Sequence, residues 1–100
     1  DHEIVLTAVR QHGHALRHAA AALRGDYEVV LAAVRNDGDA LMHADEALQG
    51  EREIVLTAVQ QTGSAFRYAT EALRGDREVA LAAVRQDAAA FFRYAADHLV

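Results

Sequence analysis

His12, His14 and His18 crowd one short stretch of this 100-residue chain, and His14 and His18 stand four apart, about one helical turn. Imidazoles at that spacing are the raw material of a zinc site, which takes several converging ligands. A histidine pair on one helix supplies only part of such a set, and the chain has no cysteine to complete it. Carboxylates come in pairs at Asp37 with Asp39 and at Asp45 with Glu46, a grouping usual on solvated surfaces. The single serine, Ser64, has no base and orienting acid beside it in sequence, which nucleophilic chemistry would require. Its expected role is to cap a helix start. The glycines fall singly rather than in a phosphate-cradling loop. The residues therefore predict no enzyme and no cofactor.

What would position any of these groups is a repeat. The chain reads as four units of about 25 residues, 1–25, 26–50, 51–75 and 76–100. Glu3, Leu6, Ala8 and Val9 recur as Glu28, Leu31, Ala33 and Val34, as Glu53, Leu56, Ala58 and Val59, and as Glu78, Leu81, Ala83 and Val84. Ala15, Ala19 and Leu23 recur as Ala40, Ala44 and Leu48, then as Ala65, Ala69 and Leu73. Apolar positions hold their spacing while polar ones drift, the pattern left when packing is the shared constraint. Copies of one small unit share a continuous core, so the whole chain is read as a single domain.

Each unit reads as two short helices. The first starts after Asp1, Asp26, Glu51 or Asp76, whose side chains suit an N-cap, and the next Glu sits near the positive helix end. Gly13, Gly38 and Gly63 are expected to stop it in the left-handed conformation. The second helix opens near His14, Asp39 or Ser64 and ends before Gly25, Gly50 or Gly75, with Arg24 and Arg74 suiting the dipole of its last turn. Ile4, Val5, Leu6, Ala8 and Val9 cover an arc of about 200°, so the first helix should be covered on more than one side. On the second, Ala15, Leu16, Ala19, Ala22 and Leu23 form the expected buried stripe. The fold class is all-α, eight helices in four helix-turn-helix repeats stacked as a short α-solenoid.

The copies differ in ways that matter. Repeats one and three share EIVLTAV, which points to duplication of a two-repeat unit. In the fourth copy Ala88 stands where the others have Gly, and Tyr94 aligns with Tyr68 only if one extra residue is admitted between Asp87 and Phe92. The last corner should therefore differ from the other three.

The unit DYEVVLAAVRNDGDALMHADEALQG, with EVVLAAV at a fixed offset from GDAL, resembles the repeat of the DUF4116 family, a domain of unknown function. The resemblance extends over all four copies. It implies an α-helical repeat and carries no activity, cofactor or partner with it.

Composition narrows the function classes. A net charge of −5 disfavours nucleic acid as a partner. No apolar run approaches the ~18 residues that span a membrane. No signal-like segment stands at the N-terminal end, and the cellular compartment is left open. Stacked copies bring equal positions side by side, so Thr7, Arg10, Arg35, Thr57, Gln60 and Arg85 should form one strip along the first helices. One reading makes that strip a shallow groove for a segment of a partner protein; the other makes Glu and Arg mere complements of the helix ends. Phe91, Phe92 and Leu99 give the last repeat an apolar end that should touch a neighbour in an assembly. The expected function is a non-catalytic scaffold or subunit mediating protein–protein interaction. The alternative is a small-ligand or metal-binding domain using His12, His14 and His18. Against it, the series His18, His43, Tyr68, Tyr94 fits flat rings packing beside the next repeat.

Overall fold

Asp1, Asp26 and Asp76 each accept backbone N–H groups of the following turn, Asp1 from Glu3 at 2.8 Å, Asp26 from Val29 at 3.1 Å and Asp76 from Glu78 at 2.9 Å. These caps open three of four equal helices in the computed structural model, which describes residues 1–98, with side chains through Ala96. The helices are α1 (His2–Gln11), α3 (Tyr27–Asn36), α5 (Arg52–Gln61) and α7 (Arg77–Gln86). At the remaining start, that of α5, Glu51 makes no side-chain cap.

The second half of each of the first three units departs from the expected single helix. A 3-10 helix comes first: η1 (Gly13–His18), η2 (Gly38–His43) and η3 (Gly63–Tyr68). A tight helix of this kind aligns every third residue. Gly13, Leu16 and Ala19 are buried accordingly, as are Gly38, Leu41 and Ala44, and Gly63, Phe66 and Ala69. Two extended residues follow, Ala19 and Ala20 in the first copy with ψ of 154° and 152°. Then comes one α-turn: α2 (Ala21–Arg24), α4 (Glu46–Gln49) or α6 (Glu71–Arg74). The break is stabilised by Arg24, which donates to the Ala19 carbonyl at 2.9 Å, and by Arg74, which donates to that of Ala69. These arginines therefore satisfy a carbonyl at the break, beyond any interaction with a helix dipole. Ala22, expected in the buried stripe, is exposed. Only the last unit keeps its second half as one α-helix, α8 (Ala88–His98).

None of the described glycines has a positive φ, so Gly13, Gly38 and Gly63 do not stop their helices by left-handed geometry. The residue before each does so by becoming extended: His12, Asp37 and Thr62 have φ of −141°, −150° and −143°. Asp87 does the same before Ala88, with φ −154°, so the four helices end alike and diverge only afterwards.

Glycine is required for a different reason. A Cβ on Gly13 would lie 2.5 Å from the carbonyl oxygen of Ala33, and one on Gly38 would lie 2.1 Å from that of Ala58. At Gly63 it would meet the Asp87 Cβ at 2.8 Å and the Ala83 oxygen at 3.0 Å. Each corner thus sits directly on the next first helix, at the alanine repeated there. Ala33, Ala58 and Ala83 are fully buried, whereas Ala8, with no corner upon it, is exposed.

The described residues form an all-α bundle, 43 × 22 × 20 Å, with no strands. α1 packs on α3, α3 on α5 and α5 on α7; η1, η2 and η3 pack likewise, and α8 closes on α7 and η3. Val29, Ile54 and Val79 are fully buried by this order, while their counterpart Ile4 is 69% exposed. Along the sixth position Leu6 is buried, Leu31 and Leu56 are half-buried, and Leu81 is exposed.

Candidate interaction surface

The polar residues of one repeat mostly find partners in the next. In the first three units the second residue is a hydrogen-bond donor that faces one or both of the acids at the first and third positions of the following unit. His2 Nε2 lies 3.4 Å from Asp26 and 3.5 Å from Glu28. The Tyr27 hydroxyl donates to Glu53. Arg52 pairs with Asp76 at 3.2 Å and with Glu78. The Arg52 guanidinium, followed by the Val79 amide, holds the Asp76 carboxyl below the usual carboxylate range. For Asp26 the Val29 amide is the main cause of a shift in the same direction, with His2 assisting. Glu53 pushes the Tyr27 hydroxyl up.

A second series runs along the corners. Asn36 accepts from the Gly13 amide at 2.7 Å and donates to the Arg10 carbonyl at 3.1 Å. Thr62 accepts from the Gly38 amide at 3.0 Å. Gln61 reaches the Asn36 carbonyl, and Gln86 that of Gln61. Ser64, expected as a helix cap, instead donates to the Asp39 carboxylate of the preceding repeat at 3.0 Å. The main chain joins in, with Asp45 N–H donating to the Arg24 carbonyl and Thr70 N–H to that of Gln49.

The histidines of the first corner do not converge on one point. His14 Nε2 lies 3.2 Å from Asp37 and its Nδ1 lies 3.0 Å from His43 Nε2, while His18 accepts from Arg17. A carboxylate only accepts, so the Nε2 of His14 carries a proton; with His14 neutral, His43 is then the donor between the two rings. Burial, and next the charge that His14 brings when its ring is protonated, hold the His43 pKa below its ordinary value. Among the described residues, the one set of three side chains with ligand atoms within 4.8 Å of one another is His2, Asp26 and Glu28. That set occupies the same positions as Tyr27 with Glu53 and Arg52 with Asp76, where the contact is plainly donor to acid.

Of the strip expected along the first helices, Arg10 and Arg35 meet between α1 and α3. Leu6 and Arg10 of α1 and Glu28, Leu31, Ala32 and Arg35 of α3 line an open cleft of about 310 Å³. Its lining mixes the apolar side chains of Leu6, Leu31 and Ala32 with the polar ones of Arg10, Glu28, Arg35 and Asn36. Thr7 is not in this cleft; it flanks Ile4 on the outer side of α1 and bonds back to the Glu3 carbonyl. Gln60 and Arg85 are exposed and Thr57 is half-buried.

At the other end the aromatic residues divide. Phe91 packs edge-on against Phe66 with ring centres 5.2 Å apart, and Tyr94 does so at 5.6 Å. Phe91 is thus half-buried by its own chain. Phe92 remains 60% exposed. Leu99 lies outside the described residues. The hollow beside these rings, lined by Gly63, Phe66, Phe91 and Tyr94, holds about 140 Å³, below the ~300 Å³ of common ligand sites. No helix of the described residues is long and apolar enough to cross a membrane.

These residues carry a family signature as well as a geometry. The family described as a domain of unknown function, DUF4116, matches residues 1–49 and again residues 51–100. The chain belongs to this family, and each match covers two of the sequence repeats. No curated protein and no solved structure matches the chain.

Proposed function

We propose that the chain is a short α-solenoid of four repeats, a non-catalytic scaffold that binds an extended segment of a partner protein along its first helices. The observation that carries this reading is the cleft between α1 and α3, where Arg10 and Arg35 flank Leu6, Leu31 and Ala32. Two arginines beside three apolar side chains, with one carboxylate at Glu28, suit a largely polar segment that bears an acidic group and small apolar side chains. The cross-repeat bonds of Asn36, Thr62 and Ser64 support it by holding neighbouring helices in fixed register, so the cleft exists before a partner arrives. The bland reading of Arg10 and Arg35 as helix-end complements asks for no partner, and affinity capture separates the two. Tagged chain should retain a partner that is lost on Arg10→Glu with Arg35→Glu and kept on Arg17→Glu. Equal retention by both variants would remove the cleft from the function.

A further inference from the structure

His2 stands apart among the second-position donors because neither of its acid contacts has the length of an ordinary hydrogen bond. Its Nε2 lies 3.4 Å from Asp26 Oδ2 and 3.5 Å from Glu28 Oε1. An N–H···O bond spans about 2.7–3.2 Å. Two ligand atoms on a tetrahedral zinc ion stand about 3.3–3.4 Å apart, given metal–ligand bonds of about 2.0–2.1 Å. The imidazole nitrogen and the two carboxylate oxygens form a set whose members all lie within 4.8 Å of one another. The second oxygen of Asp26, Oδ1, accepts from the Val29 amide at 3.1 Å, which leaves Oδ2 for His2. Carboxylates that bind metals are held from behind in this way.

The equivalent junctions do not offer this chemistry. Arg52 has no lone pair to give, and it brings its own positive charge to Asp76 and Glu78. The Tyr27 hydroxyl donates to Glu53. Only the first junction has an imidazole, which in its neutral form offers a ring nitrogen as a ligand and no fixed charge to offset two acids.

We infer that His2, Asp26 and Glu28 bind one divalent cation of the zinc class, with water completing its coordination. One nitrogen and two oxygens suit zinc better than magnesium or calcium, which prefer oxygen throughout. Asp26 is half-buried while His2 and Glu28 are exposed, so the ion arrives from solvent and the Glu28 side chain is free to close on it. Bound there, the ion ties the start of α1 to the start of α3 across the junction of the first two repeats. The site stands whether or not the cleft beside Arg10 and Arg35 receives a partner.

The test titrates Zn2+ into the full chain by calorimetry, with the terminal amine acetylated so that it supplies no ligand. A saturable 1:1 isotherm is expected, and NMR should show the His2 ring and the Val29 amide shifting as the site fills. The urea midpoint should rise with Zn2+, since the folded chain alone presents the three ligands together. His2→Ala, Asp26→Asn and Glu28→Gln should each weaken binding by about tenfold or more, as loss of even a supporting group does at metal sites. Asparagine caps a helix as well as aspartate does, so Asp26→Asn keeps the start of α3. His14→Ala should leave binding unchanged. Absence of saturable binding would overturn the inference. So would binding that His2→Ala leaves intact or that His14→Ala removes, since either places the ion elsewhere. Equal binding of Mg2+ and Zn2+ would overturn it too, because the site would then be only a pair of surface acids.

Discussion

The carbonyl oxygen of Ala58 lies 2.1 Å from the place where a Cβ on Gly38 would stand, a separation that side-chain carbons do not tolerate. Two of the smallest residues meet there, and their meeting fixes how near one repeat comes to the next. The nearest atom is backbone, so no side chain can swing aside to make room.

Gly38→Ala should therefore destabilise the chain by the cost of overpacking, about 1–3 kcal/mol. Gly75→Ala gives the contrast. Its backbone is already right-handed helical, with φ −87° and ψ −3°, and its nearest obstacle is 3.5 Å away. There the reduced freedom of the unfolded chain should add about 0.4–1 kcal/mol. Urea unfolding of the two variants measures both, and equal effects would contradict the close approach.

Leu41→Ala should cost about 2–5 kcal/mol, because the leucine is fully buried under the next repeat. Leu31→Ala and Leu56→Ala should cost less, since both side chains are only half-buried and Leu31 lines the open cleft. The reverse order in chemical denaturation would mean that the first helices, not the 3-10 segments, hold the larger part of the core.

Asn36→Ala removes the acceptor of the Gly13 amide, which is buried beneath α3. A buried donor left without a partner costs about 1–3 kcal/mol. Hydrogen exchange should localise the loss to the first corner, with the Gly13 amide exchanging much faster.

For His43 the sign follows from burial. Its pKa in the folded chain is below its ordinary value, so the unfolded chain takes up the proton more readily. The penalty is absent well above the ordinary histidine value of about 6.5 and grows as pH falls below it. The groups facing His43 are Arg17 and Arg24, with His14 and His18 adding repulsion once protonated and Asp37 behind His14, so the positive neighbours outnumber the one acid. Stability should fall between about pH 7.5 and pH 5, and His43→Gln should flatten that fall. Asp26 and Asp76 titrate in a separate window, where their stabilisation is lost as pH drops through carboxylate values. An imidazole titration by NMR with its midpoint at or above the ordinary value would contradict the assignment.

The sequence by itself determined the repeat, the four first helices and their N-terminal caps at Asp1, Asp26 and Asp76. These rest on local chemistry: apolar spacing at helical period and a carboxylate one residue ahead of free N–H groups. It also determined that the last repeat would depart from the others, because Ala88 and the extra residue are visible without coordinates. The 3-10 segments left a legible sign in the spacing of three that links Gly13, Leu16 and Ala19, but alanine and leucine at that spacing suit an α-helix equally well. The donor ladder was legible too, in a second position that is His, Tyr or Arg but never apolar. Its partner could not be read, because Glu28 serves a helix dipole as readily as it serves His2.

Only the tertiary structure decided the rest. The break after η1 has neither Gly nor Pro to announce it; it is held by Arg24 on the Ala19 carbonyl and by Asp45 reaching across to the Arg24 carbonyl. The reason for glycine at the corners lies 20 residues further along the chain, in Ala33 and Ala58. The fate of Phe91 depended on Phe66, whose ring half-buries it while Phe92 stays exposed. Local sequence fixes what a segment can do alone, since capping and helical period act within a few residues. Which of two local conformations survives, and whether an apolar ring is exposed, is set by the neighbour it meets, and that neighbour is known only when the chain is folded.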